Sequence, residues 1–248
     1  MTWLTDWLRA GGTGGLNWHV HARQSLPRWR PTLTGIADFL AGTEPRASTL
    51  LLLGGSAGWM MPTAWLQQFT HIEAYDIDPL APWLFGWRHG RALRAAGVHV
   101  RHHRRDVMAA LPEVLAAHPQ ACVWFDNMLG QHRYRVRDEV RTEAELQALA
   151  PALAGRSWGS LHDVYSGPAR APLDDAHYAR VVQRGVPASD AHTRQAWLLT
   201  QADAHGVWND HGTSGVFPAA TPCWLLPWAF RPGHWHWLQA GWVHPAQE

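Results

Sequence analysis

The chain has 248 residues, of which 46% are hydrophobic and 17% are charged, so it can form one large globular domain with a sizeable core. Its formal net charge of +1 offers no electrostatic field for a polyphosphate backbone, and we predict no nucleic-acid partner. The sequence has no apolar run long enough to cross a bilayer and does not begin with a basic-then-apolar leader, so we predict a cytoplasmic protein with no membrane partner.

The basic residues exclude two large classes of enzyme. All 21 of them are arginine, because the sequence contains no lysine. Without lysine the chain cannot form a Schiff base with a carbonyl compound, and it cannot supply the lysine of a P-loop nucleotide-binding motif. The two cysteines, Cys122 and Cys223, are too few for a disulfide framework and are not paired at zinc-ligand spacing.

Residues 1–47 are predicted to form a helical cap. Apolar residues begin the segment at helical spacing, glycines at positions 11–15 interrupt the pattern, and a second helix is predicted near residues 34–40. The segment is too short for a separate domain, so we expect it to pack on the main sheet or to cover an open edge of that sheet. The helical spacing at the start rests on Trp3, Leu4, Trp7 and Leu8.

From residue 48 onward, short apolar runs alternate with helix-compatible segments. This alternation predicts a parallel sheet with right-handed crossovers. The predicted strands are 49–53, 72–76, 98–102, 122–126 and 158–163, and the predicted helices are 60–69, 80–96, 107–117 and 138–153.

The last part of the chain has a different pattern. Residues 223–230 alternate with large apolar side chains on one face, and after a turn residues 234–243 form a returning strand. Pro227 favours an edge position for the first of these strands. Residues 164–222 are rich in Pro, Gly, Asp and His, and we predict an irregular excursion on the substrate side. Residues 48–248 are therefore predicted to form an α/β three-layer sandwich, whose mostly parallel seven-stranded sheet ends in a C-terminal antiparallel hairpin.

A glycine-rich turn follows the first predicted strand, and an acid ends the second. The turn is Gly54-Gly55-Ser56-Ala57-Gly58, and the acid is Asp76. Glycines at such a turn let the backbone approach a nucleotide, and a carboxylate roughly 20 residues further on can bind ribose hydroxyls. The chain lacks the third glycine of Gly-x-Gly-x-x-Gly, which disfavours a dinucleotide.

These motifs resemble those of class I S-adenosylmethionine-dependent methyltransferases over residues 48–163. The glycine turn resembles their first motif, in a form also seen in spermidine-synthase-like members, and Tyr75-Asp76-Ile77-Asp78 resembles the second. Arg105-Asp106-Val107 resembles the third motif, and residues 124–129 lie where the fourth ends. The resemblance implies a Rossmann-like fold and S-adenosylmethionine as cofactor.

The resemblance also implies the residues of the cofactor site. Asp76 would bind the ribose hydroxyls, and Asp106 would accept a hydrogen bond from the adenine amine. Leu52 stands where the family usually has an acid that anchors the amino group, and Ala57 replaces the aspartate of the aminopropyltransferase pattern. The predicted cofactor-binding set is Gly54, Gly55, Ser56, Gly58, Asp76, Ile77, Asp106, Val107 and Asn127.

Three polar residues at predicted strand ends are candidates for catalysis. Methyl transfer is an in-line displacement, so a general base is needed only when the acceptor arrives protonated. Asp126 follows the fourth strand, and His162 and Asp163 end the fifth. Histidine is suited to proton transfer because imidazole titrates near neutral pH.

The 17 histidines raise the question of a metal. His19 and His21 form one pair at strand spacing, and His234 and His236 form another. The two pairs lie at opposite ends of the sequence, and Asp210-His211 in the segment 164–222 could complete a site only by folding next to one of them. We predict no resident metal.

The predicted function is methyl transfer to a small-molecule acceptor, with a homodimer as the candidate assembly. The tryptophans of the N-terminal segment, among them Trp18 and Trp29, would shape an apolar or aromatic acceptor pocket together with the tail. Three alternatives stay open. They are aminopropyl or aminocarboxypropyl transfer from the same cofactor, a non-catalytic binding protein of the same fold, and a metal-dependent enzyme.

Overall fold

The computed structural model describes residues 15–245, which contain one nine-stranded sheet. The sheet order is β3-β2-β1-β4-β5-β9-β8-β6, and β7 pairs with β5. The predicted helix on Trp3, Leu4, Trp7 and Leu8 lies outside the described residues. The strands are β1 (Thr49–Leu53), β2 (His71–Asp76), β3 (His99–Arg104), β4 (Cys122–Asp126), β5 (Trp158–Pro168), β6 (Gln183–Pro187), β7 (Asn209–Asp210), β8 (Pro222–Arg231) and β9 (His234–Val243).

The helices lie before, between and after the parallel strands. A 3₁₀ turn at Leu129–Gln131 follows β4 directly. The α-helices are α1 (Leu16–Ala41), α2 (Thr63–Leu66), α3 (Ala81–Ala95), α4 (Val107–Ala117), α5 (His132–Val136), α6 (Glu139–Gln147), α7 (Leu149–Ala152), α8 (Asp175–Val181), α9 (Asp190–Thr193) and α10 (Gln195–Gln201).

The sheet is the middle of three layers. Successive residues of β1 point to opposite faces, as the two-residue period of a strand requires. Leu50 and Leu52 join the core formed with α1, α2 and α3, whereas Leu51 and Leu53 join the core formed with α4, α6 and α7. Strand β1 lies between β2 and β4, so the first two crossovers add β2 and β3 on one side of β1, and the third crossover returns to add β4 on the other side.

Helix α1 lies along the part of β8 that β6 leaves unpaired. Strand β6 pairs with β8 only from Pro222 to Leu225. Beyond that stretch Thr32 Oγ1 donates to the Pro227 carbonyl at 2.8 Å, and Trp29 Nε1 donates to the Phe230 carbonyl at 3.0 Å. These contacts bind α1 to the sheet although Pro27 and Pro31 lie inside the helix.

The predicted fold class is confirmed: the chain is α/β, with a mostly parallel sheet that ends in the antiparallel β8–β9 hairpin. The sheet has nine strands instead of seven, because the segment 164–222 is not irregular. It contains the outer half of β5, the short strands β6 and β7, and helices α8 to α10. Its apolar residues, such as Val186 and Leu198, pack in a third core against β8 and β9.

Some boundaries also differ from prediction. Helix α1 is 26 residues long, whereas the sequence predicted a helix only near residues 34–40. The helix predicted at 60–69 is reduced to α2, which Pro62 precedes as the N-terminal cap. Among the described residues, no helix is both long enough and apolar enough to span a membrane.

Candidate functional site

A cavity opens at the carboxyl ends of β1, β2 and β4, where the order of the parallel strands reverses. It is lined by every predicted cofactor residue except Gly58, and also by Asp126, which was predicted to be catalytic. Open α/β sheets bind ligands at this kind of crevice. The cavity also contains residues that the resemblance did not assign as ligands, namely Trp18, Trp59, Met60, Tyr75, Arg105, Met128, Gln131 and Arg135.

The glycine turn after β1 is shaped by close packing. Gly54 has φ +71°, and a Cβ atom there would lie 2.8 Å from the Met128 Cβ atom. Gly58 lies behind the cavity and not in its wall. It has φ +67°, and a Cβ atom would lie 2.5 Å from Nε2 of His89 on α3. Gly54 therefore lets Met128 pack closely against the turn, and Gly58 lets α3 approach it.

The Asp76 carboxylate at the end of β2 is oriented by two backbone amides. Ser56 N donates to Oδ2 at 2.7 Å, and Asp78 N donates to Oδ1 at 2.8 Å. Burial raises the pKa of Asp76 to about 6 despite these hydrogen bonds. Each carboxylate oxygen accepts a second hydrogen bond readily, so Asp76 can still bind hydroxyl groups of a ligand.

Asp78, two residues further on, forms a hydrogen bond with helix α1. His19 Nε2 is 2.7 Å from Asp78 Oδ2, and Trp59 Nε1 donates to His19 Nδ1 at 3.0 Å. Indole is only a donor, so Nδ1 accepts and Nε2 carries the proton that is donated to Asp78. Burial opposes ionisation of Asp78, but the hydrogen bond from His19 and those from backbone amides hold its pKa below the usual value. This contact joins α1 to the wall of the cavity.

Three acceptor atoms at the cavity are buried and have no hydrogen-bond partner among the described residues. They are Asp106 Oδ1, Asp126 Oδ1 and Asn127 Oδ1. The other oxygen of Asp106 accepts a hydrogen bond from Arg135. Buried polar atoms without partners are rare in folded proteins, because each costs about 1–3 kcal/mol. The cavity is therefore suited to a ligand that carries several hydrogen-bond donors.

Asp126 is the most perturbed of these acceptors. Burial and, to a smaller extent, the nearby Asp76 carboxylate raise its pKa to about 7, against the effect of the Trp124 indole, which lowers it. A cationic ligand would lower this pKa, since an opposite charge favours the ionised form. The residue that follows, Asn127, has φ +50°, a left-handed conformation that asparagine tolerates better than most residues.

The other two predicted catalytic residues do not line the cavity. His162 is fully buried in β5, with Ser160 Oγ 3.0 Å from Nδ1 and Gln239 Oε1 3.2 Å from Nε2. Burial lowers the pKa of His162 to about 4. Asp163 is also buried, and His236 Nδ1 lies 2.7 Å from its Oδ1 atom. Their catalytic roles stay predictions.

Of the two tryptophans predicted to shape the acceptor pocket, Trp18 lines the cavity and Trp29 does not. Trp59 also lines the cavity. Trp29 is fully buried, and its ring meets that of Trp228 edge-on at 4.9 Å between centroids.

Sequence spacing could have indicated Gln131 and Arg135 as residues of the cavity, because they lie four residues apart just after β4. It could not have indicated His19, whose partner Asp78 is 59 residues away.

The sequence matches no family model and no curated protein. Solved structures are similar to it at low sequence identity. One is an S-adenosylmethionine-dependent methyltransferase from Anabaena variabilis ATCC 29413, with 13% identity, 91% of each chain covered and a TM-score of 0.43. Another is the geranyl diphosphate C-methyltransferase of Streptomyces coelicolor A3(2), with 15% identity, 89% of this chain and 82% of that chain covered, and a TM-score of 0.37.

The Gly58 contact predicts a difference between two glycine-to-alanine substitutions. Gly97 has φ +75° but open space around its Cβ position, so Gly97→Ala measures the backbone cost alone, about 1–2 kcal/mol. Gly58→Ala adds overpacking against His89, about 1–3 kcal/mol more. Urea denaturation of both variants checks this order, and equal losses of unfolding free energy would show that α3 does not pack tightly on the turn.

The raised pKa of Asp126 predicts a dependence of stability on pH. The folded state holds a proton on Asp126 that the unfolded state has released, so this group lowers the unfolding free energy as pH rises from about 4 to about 7. Each unit of pKa elevation corresponds to about 1.4 kcal/mol. Asp126→Asn should therefore gain stability relative to wild type across this range.

Denaturation at several pH values tests that prediction. Asp175→Asn is the matched control, because the Asp175 side chain is 64% exposed and far from the cavity in sequence. A pH profile of Asp126→Asn parallel to that of wild type would mean that the Asp126 carboxyl group is not desolvated.

Proposed function

We propose that this protein binds S-adenosylmethionine in the cavity at the ends of β1, β2 and β4 and transfers its methyl group to a small-molecule acceptor. The observation that carries the proposal is the set of three buried, unpartnered acceptors around the glycine turn and Asp76. S-Adenosylmethionine brings donors of the right kind: two ribose hydroxyls, an adenine amine and an ammonium group. It also brings the positive charge that a buried carboxyl group requires.

The residues present fit the cofactor at both ends. Asp76 would bind the ribose hydroxyls, since its orientation is fixed by Ser56 N and Asp78 N. Asp106 Oδ1, held in place through Arg135, would accept from the adenine amine. The glycine turn would let the backbone approach the amino-acid half, because Gly54 and Gly55 line the cavity and carry no side chains.

Asp126 would compensate for the acid that is missing at Leu52. Leu52 is fully buried in the core and cannot reach a ligand. Asp126 lines the cavity from the neighbouring strand β4, and its Oδ1 atom has no partner among the described residues. A carboxylate at this position would bind the ammonium group and neutralise part of the cationic charge of the cofactor.

The chain's contribution to the reaction would be mainly positional. The cofactor supplies an electrophilic methyl group on a sulfonium, and the enzyme has to hold the acceptor in line with it. Trp18, Trp59 and Met60 give the cavity an apolar wall that would exclude water and accommodate an apolar part of the acceptor. If the ammonium group binds elsewhere and the acceptor arrives protonated, Asp126 would be the candidate general base, because it lines the cavity.

Calorimetric titration of the full chain with S-adenosylmethionine and S-adenosylhomocysteine tests the proposal. We expect binding by wild type, and a loss of about tenfold or more in Asp76→Asn and Asp126→Asn, since hydrogen bonds to charged groups contribute about 1.5–3 kcal/mol. Asp175→Asn, at an exposed position, should bind like wild type. Folded wild-type protein that binds neither compound would contradict the proposal.

The product identifies the type of transfer. Methyl transfer releases S-adenosylhomocysteine, whereas aminopropyl or aminocarboxypropyl transfer releases methylthioadenosine. Cofactor binding without turnover on a panel of small acceptors would favour the non-catalytic alternative. The homodimer stays a prediction that sedimentation of the same protein would test.

A further inference from the structure

We propose that Asp163, His211 and His236 form a binding site for a divalent transition-metal ion, with Zn²⁺ as the ion that suits the ligands best. The site is separate from the cofactor cavity, and the proposal does not depend on the function proposed above. It also replaces the prediction from sequence that the protein has no resident metal.

The three residues come from distant parts of the chain. Asp163 is on β5, His211 directly follows β7, and His236 is on β9. Each offers one ligand atom, and these atoms all lie within 4.8 Å of one another. Two imidazoles and one carboxylate suit transition metals such as zinc or iron, whereas Mg²⁺ and Ca²⁺ prefer sites made of oxygen ligands.

A β-bulge brings these side chains to one face of the sheet. The pairing of β5 with β9 shifts register between Asp163 and Tyr165, and Ser166 then pairs with His236. In a regular strand, residues three apart point to opposite faces. Here Asp163 contacts His236, and Ser166 contacts His211, so both β5 side chains face the same cluster. A bulge that re-aims side chains in this way is typical of functional sites.

The orientation of His211 fits a metal ligand. Its Nδ1 atom lies 2.9 Å from the carbonyl oxygen of Gly130, so Nδ1 carries the proton and donates it. The lone pair is then on Nε2, which accepts a hydrogen bond from Ser166 Oγ at 2.9 Å, and a bound metal ion would replace this hydrogen bond. Metal-binding histidines are usually fixed by just such a hydrogen bond from the other ring nitrogen to a carbonyl or carboxylate oxygen.

Burial separates this cluster from ordinary surface histidines. Asp163 and His211 are 2% and 3% exposed, and the side chain of His236 is 13% exposed. The rings of Trp228 and Phe230 lie 5.1 Å and 4.8 Å from that of His236, between centroids. A buried carboxylate needs a compensating positive charge, and a metal ion supplies it more completely than a single imidazole.

The described part of the chain offers three protein ligands at this site, which leaves a coordination position open. Structural zinc sites usually have four protein ligands, whereas catalytic sites have three and leave room for water or a small molecule. The site is also near the cofactor cavity. Gly130, which fixes His211, belongs to the 3₁₀ turn whose residue Gln131 lines that cavity.

Titration of chelator-treated, full-length protein with Co²⁺ and Zn²⁺ tests the proposal. We expect one Zn²⁺ per chain by calorimetry and a visible d–d absorption band with Co²⁺ that Zn²⁺ displaces. The variants Asp163→Asn, His211→Gln and His236→Gln should each weaken binding by at least tenfold and lose the band. His234→Gln is the matched control, because His234 lies two residues from His236 on β9 but outside the ligand group.

The outcomes separate this proposal from the previous one. If Asp163→Asn does not fold, His236→Gln decides, because His236 is the most exposed of the three. Binding that survives His236→Gln and His211→Gln, or that His234→Gln removes equally, would overturn the proposal, as would wild-type protein that binds no ion stoichiometrically. Cofactor binding, measured on the folded His236→Gln variant, should stay unchanged, since His236 does not line the cofactor cavity.

Discussion

The carboxylate of Asp78 holds the candidate cofactor site together, because separate segments of the chain donate hydrogen bonds to it. His19 of α1 and the backbone amide of Leu80 donate to it, and the Ser56 hydroxyl of the glycine turn lies 3.4 Å away. A buried carboxylate is costly unless it is paired and fully hydrogen-bonded. The glycine turn, α1 and the start of α3 are therefore held in one arrangement, and the shape of the cavity depends on that arrangement.

Around this fixed frame, acidic groups converge because parallel strands end at the same edge of the sheet. Backbone amides donate to both oxygens of Asp76, and Arg135 donates to one oxygen of Asp106, but the other oxygen of Asp106 and Oδ1 of Asp126 have no partner among residues 15–245. Asp126 is the more buried of these two residues, so a cationic ligand changes its environment most. Further along the same sheet, Asp163 contacts His236 instead, and this second, chemically different cluster lies next to the 3₁₀ turn whose Gln131 lines the cavity.

Sequence periodicity predicted the parts of the fold that local patterns determine. The apolar runs at Thr49–Leu53 and Cys122–Asp126 gave strand boundaries that agree with the structure, and the glycine turn with Asp76 located the crevice. Tertiary contacts determine the rest. Helix α1 continues through two prolines because its side chains form hydrogen bonds with β8. The Asp163–His211–His236 cluster depends on a β-bulge that no sequence pattern predicts. Contacts between residues that are far apart in the sequence leave no periodic signal, and His236 and Asp163 are separated by 73 residues.

A crystal structure of the protein grown with S-adenosylhomocysteine tests the central claim most directly, namely that the cavity at the ends of β1, β2 and β4 holds this cofactor. We expect the ribose hydroxyls to bind Asp76, the adenine amine to bind Asp106, and the ammonium group to bind Asp126, so that the buried acceptor atoms of Asp106 and Asp126 gain partners. A nucleoside bound elsewhere, or an empty cavity at saturating ligand, would contradict the proposed cofactor site.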